Sequence, residues 1–125
     1  MMAERALVVD SRDWLQFRAE AFTAVALAAT PRMRVLLVNL LSGQFLPVHA
    51  PQVDLAALVV EGEGLCVAGG HEGAVRAGTV LVAPAGAPRG FQAHTRMVLF
   101  VALSPPPTEA DHAEVGRKFA EGRWR

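Results

Sequence analysis

The middle of the chain is a series of short apolar runs, and glycine or proline residues separate one run from the next. The runs cover residues 21–29, 33–41, 45–49, 55–60, 65–68, 73–76, 79–83 and 97–103. The pair Gly69–Gly70 between two of these runs is a hairpin signal. Runs of this length with turn residues at regular intervals are typical of strands in an antiparallel sandwich or barrel. The pattern therefore predicts an all-β fold.

The two ends of the chain follow a different pattern. We interpret residues 1–20 as an N-terminal arm, residues 21–104 as the barrel, and residues 105–125 as a proline-rich turn and a C-terminal helix. Around Trp14 and Phe17 the arm forms either a helical turn or a loop laid over the barrel, and the pattern leaves both open. The three prolines that open the last segment end the barrel, because a central strand does not tolerate such a run.

A helix is predicted over residues 109–121. Thr108 can serve as its N-cap, acidic residues occupy its first turn, basic residues occupy its last turn, and Gly122 can stop it. Val115 and Phe119 are four residues apart and share one face of this helix. That face would dock on the barrel or on a second subunit.

Length and charge restrict the class of protein. The chain has 125 residues, enough for one domain with its own core, and 12 basic residues balance 12 acidic ones. This balance argues against nucleic-acid and anionic-membrane partners, which require a clustered positive charge. A single cysteine, Cys66, indicates a reducing compartment and hence a cytoplasmic location. The most apolar stretch, residues 35–48, is too short and too interrupted to span a membrane.

Three segments resemble the cupin family. Residues 43–49 read as a glycine, five residues and a histidine, like the opening of the first cupin motif, and residues 58–64 are similar to its closing strand and turn. Residues 78–86 read as a glycine, five residues and Pro-x-Gly, like the start of the second motif. The motifs lie close together, as in small bacterial single-domain cupins. The resemblance implies a jelly-roll β-barrel (a double-stranded β-helix), followed here by a short C-terminal α-helix.

The resemblance also shows what this chain lacks. Metal-dependent cupins hold an ion with three histidines and a glutamate, and residue by residue these positions fall on His49, Pro51, Leu55 and Arg89. One imidazole is a poor site for a divalent metal, since stable sites use three or four protein ligands. We therefore expect no cofactor and no metal at the usual cupin position.

A substituted metal site is the alternative. A divalent transition metal could be held by His49 together with Asp54, Cys66 or His94. Asp54 is adjacent to the lost glutamate position, but strand alternation places it on the opposite face unless a bulge intervenes. The thiol of Cys66 is a soft ligand, although a lone buried cysteine usually serves packing.

A binding site for a small organic molecule is the preferred hypothesis. Its expected residues are His49, Arg89, Asp54 and Phe91. If Arg89 points inward, it must meet a carboxylate such as Asp54 or Glu61, stay near the mouth of the barrel, or bind an anionic ligand. Otherwise it is a rim arginine in an ordinary ion pair.

The sequence thus favours a small-molecule-binding cupin without the usual metal centre, whose expected ligand is a small organic molecule, anionic if Arg89 binds it. The alternative is a metal-dependent cupin oxygenase or isomerase with substituted ligands around His49, so enzymatic activity stays open. A metal-free isomerase of the sugar-modifying type would need a tyrosine acid, and the chain has no tyrosine. A homodimer is expected, since pairing would cover an exposed sheet edge.

Overall fold

The structure is a computed structural model and describes residues 6–125. Within this range the chain forms nine strands, a short 3-10 helix and one α-helix, and the 3-10 helix (Ser11–Trp14) lies in the N-terminal arm. The strands are β1 (Thr23–Ala29), β2 (Arg34–Leu40), β3 (Phe45–His49), β4 (Asp54–Glu61), β5 (Glu63–Ala68), β6 (His71–Arg76), β7 (Val80–Ala83), β8 (Arg89–Ala93) and β9 (Met97–Ser104). The α-helix, α1 (Glu109–Ala120), follows the proline run.

The strands form two antiparallel sheets. The large sheet has the order β1-β2-β9-β4-β7, and the small sheet has the order β3-β8-β5-β6. Strands β1 and β2 form a hairpin, and the other neighbours in the large sheet are joined by long crossovers, as expected when two sheets wrap around one core. The all-β jelly-roll architecture predicted from the apolar runs is therefore confirmed.

The main core lies between the two sheets. In β4, Leu55, Ala57 and Val59 are buried while the residues between them are exposed, so the strand alternates between the core and the outside. Leu99 of β9 and Phe91 of β8 also lie in this core and have no exposed surface. The arrangement explains why half of the chain is apolar without forming a long apolar segment.

A second apolar cluster lies on the outer face of the large sheet. Its buried members are Leu27, Leu37 and Val98, and the arm covers them with Trp14 and Phe17. The arm forms one helical turn and then continues to β1 as a loop that bends at residues 19–21, so both alternatives left open by its sequence occur in succession.

Strand β8 is absent from the sequence prediction, which passed directly from residues 79–83 to residues 97–103. It carries Arg89, Gly90 and Gln92 among five residues, so no apolar run marks it. Its backbone pairs with β3 on one side and β5 on the other. Pairing with strands distant in sequence therefore makes this segment a strand.

Helix α1 confirms the helix predicted over residues 109–121. The backbone N–H of Thr108 donates to the carboxylate of Asp111 at 2.9 Å, and Gly122 follows the helix with a positive φ of 68°. The ring of Phe119 packs against the rings of Phe22 and Phe45, with centroids 6.1 and 5.7 Å away. Of the two predicted docking partners, the helix thus uses its own barrel.

No helix within residues 6–125 has the length and apolar character needed to cross a membrane.

Candidate ligand-binding site

A β-bulge in β3 decides where His49 points. Leu46 lies opposite Phe91 of β8, and His49 lies opposite Arg89, so two residues of β3 face the single residue between them on β8. Without the extra residue, strand alternation would turn His49 to the face opposite that of Leu46. The bulge therefore places His49 beside Arg89, on the side of the sheet that faces the core.

Gly90 of β8 makes this bulge sterically feasible. A Cβ atom at this position would lie 2.8 Å from the backbone N and Cα of Val48, closer than real Cβ atoms approach. The bulged backbone of β3 thus occupies the space of the absent side chain. Sequence reasoning missed this residue, and the signal that could have found it is a glycine inside a strand.

Between the two sheets, at the end of the barrel that α1 covers, lies a cavity of about 110 Å³. Its wall is mostly apolar and includes Phe91, which the sequence predicted as a site residue. The polar side chains that reach it are those of His49, Arg89, Asp111 and His112. The structure therefore brings two of the predicted residues, an imidazole and a guanidinium, together at one apolar space.

The Arg89 side chain is 1% exposed and is held by backbone carbonyl oxygens. Its Nε donates to Ala87 at 3.0 Å, its Nη1 to Val53 at 2.9 Å and its Nη2 to Pro84 at 2.9 Å, with a longer contact of 3.5 Å to Ala83. These contacts tie β8 to the start of β4 and to the loop before β8. Of the five N–H donors of the guanidinium, one on Nη1 has no hydrogen-bond partner among the described residues.

No carboxylate forms an ion pair with Arg89 among the described residues, so two of the expectations for it are wrong. Glu61 pairs with Arg96 at 2.6 Å, and Asp54 accepts the backbone N–H of Ala85 at 2.8 Å. Nor is Arg89 a rim residue. Burial lowers the pKa of Arg89, and the more distant charges of Asp54 and Asp111 offset only part of this. The arginine is thus a buried cation whose hydrogen bonds go to neutral groups.

The His49 imidazole lines the cavity and uses one of its two nitrogens in a hydrogen bond within the described chain. Nδ1 lies 2.7 Å from the carbonyl oxygen of Pro47, which fixes Nδ1 as the donor and leaves Nε2 with its lone pair. Burial lowers the pKa of His49, and the positive charge of Arg89 lowers it further, against the hydrogen bond to Pro47 and the charge of Glu114. At neutral pH the ring is therefore uncharged and offers Nε2 as an acceptor.

Helix α1 closes this end of the barrel through polar contacts with the free edge of β3 and the segment after it. Glu114 accepts the N–H of Ala50 at 3.1 Å, and Asp111 accepts the N–H of Gln52 at 3.1 Å. Lys118 donates to the carbonyl of the bulge residue Val48 at 2.6 Å. Sequence reasoning missed these residues, because nothing along the chain shows which backbone groups a helix will reach.

The other candidate residues do not converge on His49. Asp54 is exposed and on the outer face of β4, as alternation suggested, and His94 follows the far end of β8 and is exposed. Cys66 is buried in the core opposite Phe91 in the neighbouring strand, and burial raises the pKa of its thiol.

The residues present do not fit a cupin-type metal centre. Within residues 6–125, no group of three or more histidine, cysteine, aspartate or glutamate side chains is close enough to hold an ion. The position of the third histidine carries the Arg89 guanidinium, whose fixed positive charge opposes a cation. The donor set around His49 is thus a single imidazole nitrogen.

Comparison with known proteins shows similarity in structure. No protein-family model and no curated protein matches the sequence. The TT1209 protein of Thermus thermophilus is 28% identical with a TM-score of 0.75, and the match covers 78% of this chain and 96% of that one. An RmlC-like cupin protein from Desulfovibrio desulfuricans is 29% identical with a TM-score of 0.68, over 85% of this chain and 99% of that one.

A structural match of known activity is more distant. A salicylate 1,2-dioxygenase from Pseudaminobacter salicylatoxidans is 23% identical with a TM-score of 0.62. The match covers 68% of this chain and 26% of the dioxygenase. At this identity the similarity concerns the fold.

Proposed function

Since the chain has the fold of the cupin superfamily, we propose that it binds a small organic anion in the cavity between its two sheets, without the metal centre of metal-dependent cupins. The observation that carries this proposal is a buried guanidinium, Arg89, which has no carboxylate partner among the described residues and lies at an apolar cavity. A buried charge of this kind is costly unless a counter-charge is supplied. A bound anion would supply it.

Cavity size supports a compact ligand. The volume of about 110 Å³ is smaller than the roughly 150 Å³ of an apolar cavity that accepts benzene. A short-chain carboxylate fits this volume, with its alkyl part against the apolar wall. A sugar phosphate is larger and more polar than such a wall accommodates.

The polar groups support a carboxylate that also carries a hydroxyl group. The unpaired N–H of Arg89 can donate to a carboxylate oxygen, with the fixed charge adding to the attraction. The Nε2 atom of His49 is an acceptor at neutral pH and can take a hydrogen bond from a ligand hydroxyl. A short 2-hydroxy acid therefore matches both Arg89 and His49. The amide of that acid has the same shape and no charge, so it matches His49 alone.

The experiment is a thermal-shift and calorimetric titration with lactate, 2-hydroxyisobutyrate and isobutyrate. The matched amides and glucose 6-phosphate serve as controls for charge and for size. We expect the carboxylates to raise Tm by several degrees at saturating concentration, since a ligand at 100 times its Kd stabilises the folded state by about 2.7 kcal/mol. The proposal is wrong if no carboxylate shifts Tm at millimolar concentration, or if the amides shift it equally.

Two kinds of variant locate the binding. Arg89→Met should abolish the shift, but it also removes contacts that hold β8 and could prevent folding. Val115→Phe keeps Arg89 and fills the cavity from the α1 side, where Val115 lines it. This variant should also lose the shift, while Ala113→Phe on the exposed part of the helix should keep it. A shift that survives Val115→Phe would place the binding elsewhere.

A metal-dependent cupin enzyme with substituted ligands is the other hypothesis from the sequence. The salicylate 1,2-dioxygenase shares this fold over 26% of its own length, which supports keeping this alternative. Metal analysis of untagged protein purified without chelator distinguishes the two hypotheses. A stoichiometric transition metal that disappears in His49→Ala would overturn the metal-free proposal.

A further inference from the structure

The guanidinium at the cavity is closed off from solvent. Arg89 is 1% exposed, and Phe91, which lines the same cavity, has no exposed surface. A ligand that reaches Arg89 therefore requires part of the cavity wall to move.

Most of the wall is fixed by backbone hydrogen bonds. On the two sheets, β3 pairs with β8 and β4 pairs with β9. The loop between β7 and β8 is held by Arg89 itself, which donates to the carbonyl oxygens of Pro84 and Ala87. The rest of the wall belongs to α1 and the residues before it, and consists of Pro107, Asp111, His112 and Val115.

The second half of α1 is firmly attached to the small sheet. Lys118 is buried and donates to the carbonyl of Val48 at 2.6 Å. Phe119 packs against the rings of Phe22 and Phe45. After the helix, the carbonyl of Trp124 accepts the N–H of Val48 at 2.7 Å. This half therefore combines apolar burial with hydrogen bonds to β3.

The first half of α1, residues 109–115, is attached by weaker contacts. Its carboxylates, Asp111 and Glu114, accept the N–H groups of Gln52 and Ala50, and both of these partners are exposed residues. Val115 is its only large apolar side chain. Because water can replace a carboxylate at an exposed N–H group, these hydrogen bonds contribute little net stability. The half of the helix that lines the cavity is thus the half that separates from the barrel more easily.

Gly116 lies where the two halves meet. It is exposed, and a Cβ atom at this position would meet no atom of the described residues within 4 Å beyond its own helix backbone. Packing therefore does not require a glycine here. A glycine inside a helix nevertheless weakens it, because its backbone loses more conformational freedom on folding than that of other residues. Bending in helices and hinges concentrates at such positions.

We propose that residues 109–115 form a lid that unwinds at Gly116 and admits ligand to the cavity, while the second half of α1 stays on β3. Two turns of helix are not stable alone in water, so the lid loses its helical structure when it leaves the barrel. The nature of the ligand, a small organic anion, rests on the proposed function, whereas the opening of the lid does not.

The first test is native-state hydrogen exchange, which requires no ligand. The amides of residues 113–118 donate to carbonyl groups four residues earlier in the helix, all of which lie in the lid. The amides of residues 121–123 bond to carbonyl groups of the second half, those of Arg117, Phe119 and Lys118. We expect the first group to exchange roughly tenfold faster than the second, since local opening requires less free energy than unfolding of the barrel.

Gly116→Ala should slow the exchange of residues 113–118 about fivefold, since alanine favours the helical, closed form of the lid. The amides of residues 121–123 should be unaffected. Gly70→Ala is the matched control, because Gly70 is also exposed with open space for a Cβ atom and lies in the hairpin between β5 and β6. It should leave the lid unchanged. The proposal is overturned if residues 113–118 exchange equally fast in the wild type and in Gly116→Ala.

The second test is the kinetics of 2-hydroxyisobutyrate binding, followed by NMR. Gly116→Ala should lower the association and dissociation rates about fivefold each and leave Kd unchanged, because alanine stabilises the closed lid both with and without ligand. Unchanged rates in a variant that still binds would mean that ligand enters elsewhere, and would overturn the proposal. If no carboxylate binds, the proposed function fails, and hydrogen exchange alone then supports or overturns the lid.

Discussion

The two ends of the chain cover different parts of the barrel and by different contacts. The N-terminal arm lies on a sheet face and covers Leu37 with the rings of Trp14 and Phe17. Helix α1 lies along a sheet edge, where Glu114 and Lys118 bond to backbone N–H and carbonyl groups of β3 and the residue after it. The arm contributes apolar contact, and the helix adds charged side chains to the apolar contact of Phe119.

The difference reflects what each surface exposes. The outer face of the large sheet presents side chains to water, so its stabilisation comes from removal of apolar surface. The edge of β3 presents unpaired backbone groups, which need hydrogen-bond partners and would otherwise offer a template for pairing with another chain. Polar residues in α1 are therefore part of the barrel's structure, although along the sequence they resemble a solvated helix face.

Removing the apolar contact under the arm should have the largest effect. Leu37 has no exposed surface, so Leu37→Ala should lower the free energy of unfolding by about 3 kcal/mol in urea titrations. Leu65 is the matched control, because it lies half-buried on the outer face of the small sheet, where no arm covers it. Leu65→Ala should cost about 1 kcal/mol. Equal losses would mean that the arm contributes no burial.

Removing the charged contact at the edge should have the next largest effect. Lys118→Met takes away the donor to the carbonyl of Val48 and leaves Glu114 without its nearby ammonium group, 3.5 Å away. We expect a loss of about 2 kcal/mol in the free energy of unfolding. Arg117→Met, on the exposed side of the same helix, should change it by less than about 0.5 kcal/mol. A neutral effect of Lys118→Met would show that water replaces the lysine at no cost.

Acid should weaken the helix contact and spare the arm contact. Burial raises the pKa of Glu114, but the N–H of Ala50 and the charge of Lys118 outweigh it, so this pKa lies below its ordinary value. Hydrogen bonds from the N–H groups of Thr108 and Gln52 likewise lower the pKa of Asp111.

Both groups bind protons more weakly in the folded than in the unfolded chain. Their stabilisation is therefore fully present above the unfolded pKa of about 4 and is lost as the pH falls through the folded pKa. The Tm difference between wild type and Glu114→Gln should be clear at pH 7 and absent near pH 2.5. For Leu37→Ala the difference should be the same at both pH values. A Glu114→Gln difference that persists in acid would contradict the electrostatic origin of the helix contact.

The smallest effect on the free energy of unfolding is expected for the contact of the arm with a charged side chain, Arg96. The guanidinium of Arg96 lies 4.4 Å from the centre of the Phe17 ring and pairs with Glu61 on the exposed surface. Arg96→Gln should lower the free energy of unfolding by about 0.5–1 kcal/mol, measured in urea at low and high salt. Added salt should reduce this difference. A loss as large as that of Leu37→Ala would mean that the charge, and not apolar burial, holds the arm.

Prediction from sequence succeeded for the elements whose residues carry their own signal, such as an apolar run or a set of capping residues. Short apolar runs separated by glycine or proline predicted eight of the nine strands, and the capping residues around 109–121 predicted α1. It failed at β8, whose residues Arg89 and Gly90 have no strand signal. The reason is that pairing with β3 and β5, both distant in sequence, stabilises this strand.

At the site, the sequence identified His49 and Arg89 but could not give their partners. The expectation of a carboxylate for Arg89 came from the rule that buried charges are paired, and carbonyl oxygens took that role instead. Gly90, which admits the bulge, and the α1 residues that close the cavity were missed altogether. Each of these depends on which backbone atoms approach one another in space.

The sequence by itself determined the barrel and the C-terminal helix, because apolar runs and capping residues are local properties of a chain. Its resemblance to cupins implied that three of the four usual metal ligands are replaced. Only the tertiary structure decided that His49 faces the cavity, that Arg89 is a cation held by neutral oxygens, and that Val80 and Val82 are exposed on the outer face of the large sheet. Those features arise from a one-residue bulge and from contacts between distant segments. A shift of one residue in strand register reverses the direction of a side chain and leaves the sequence pattern unchanged.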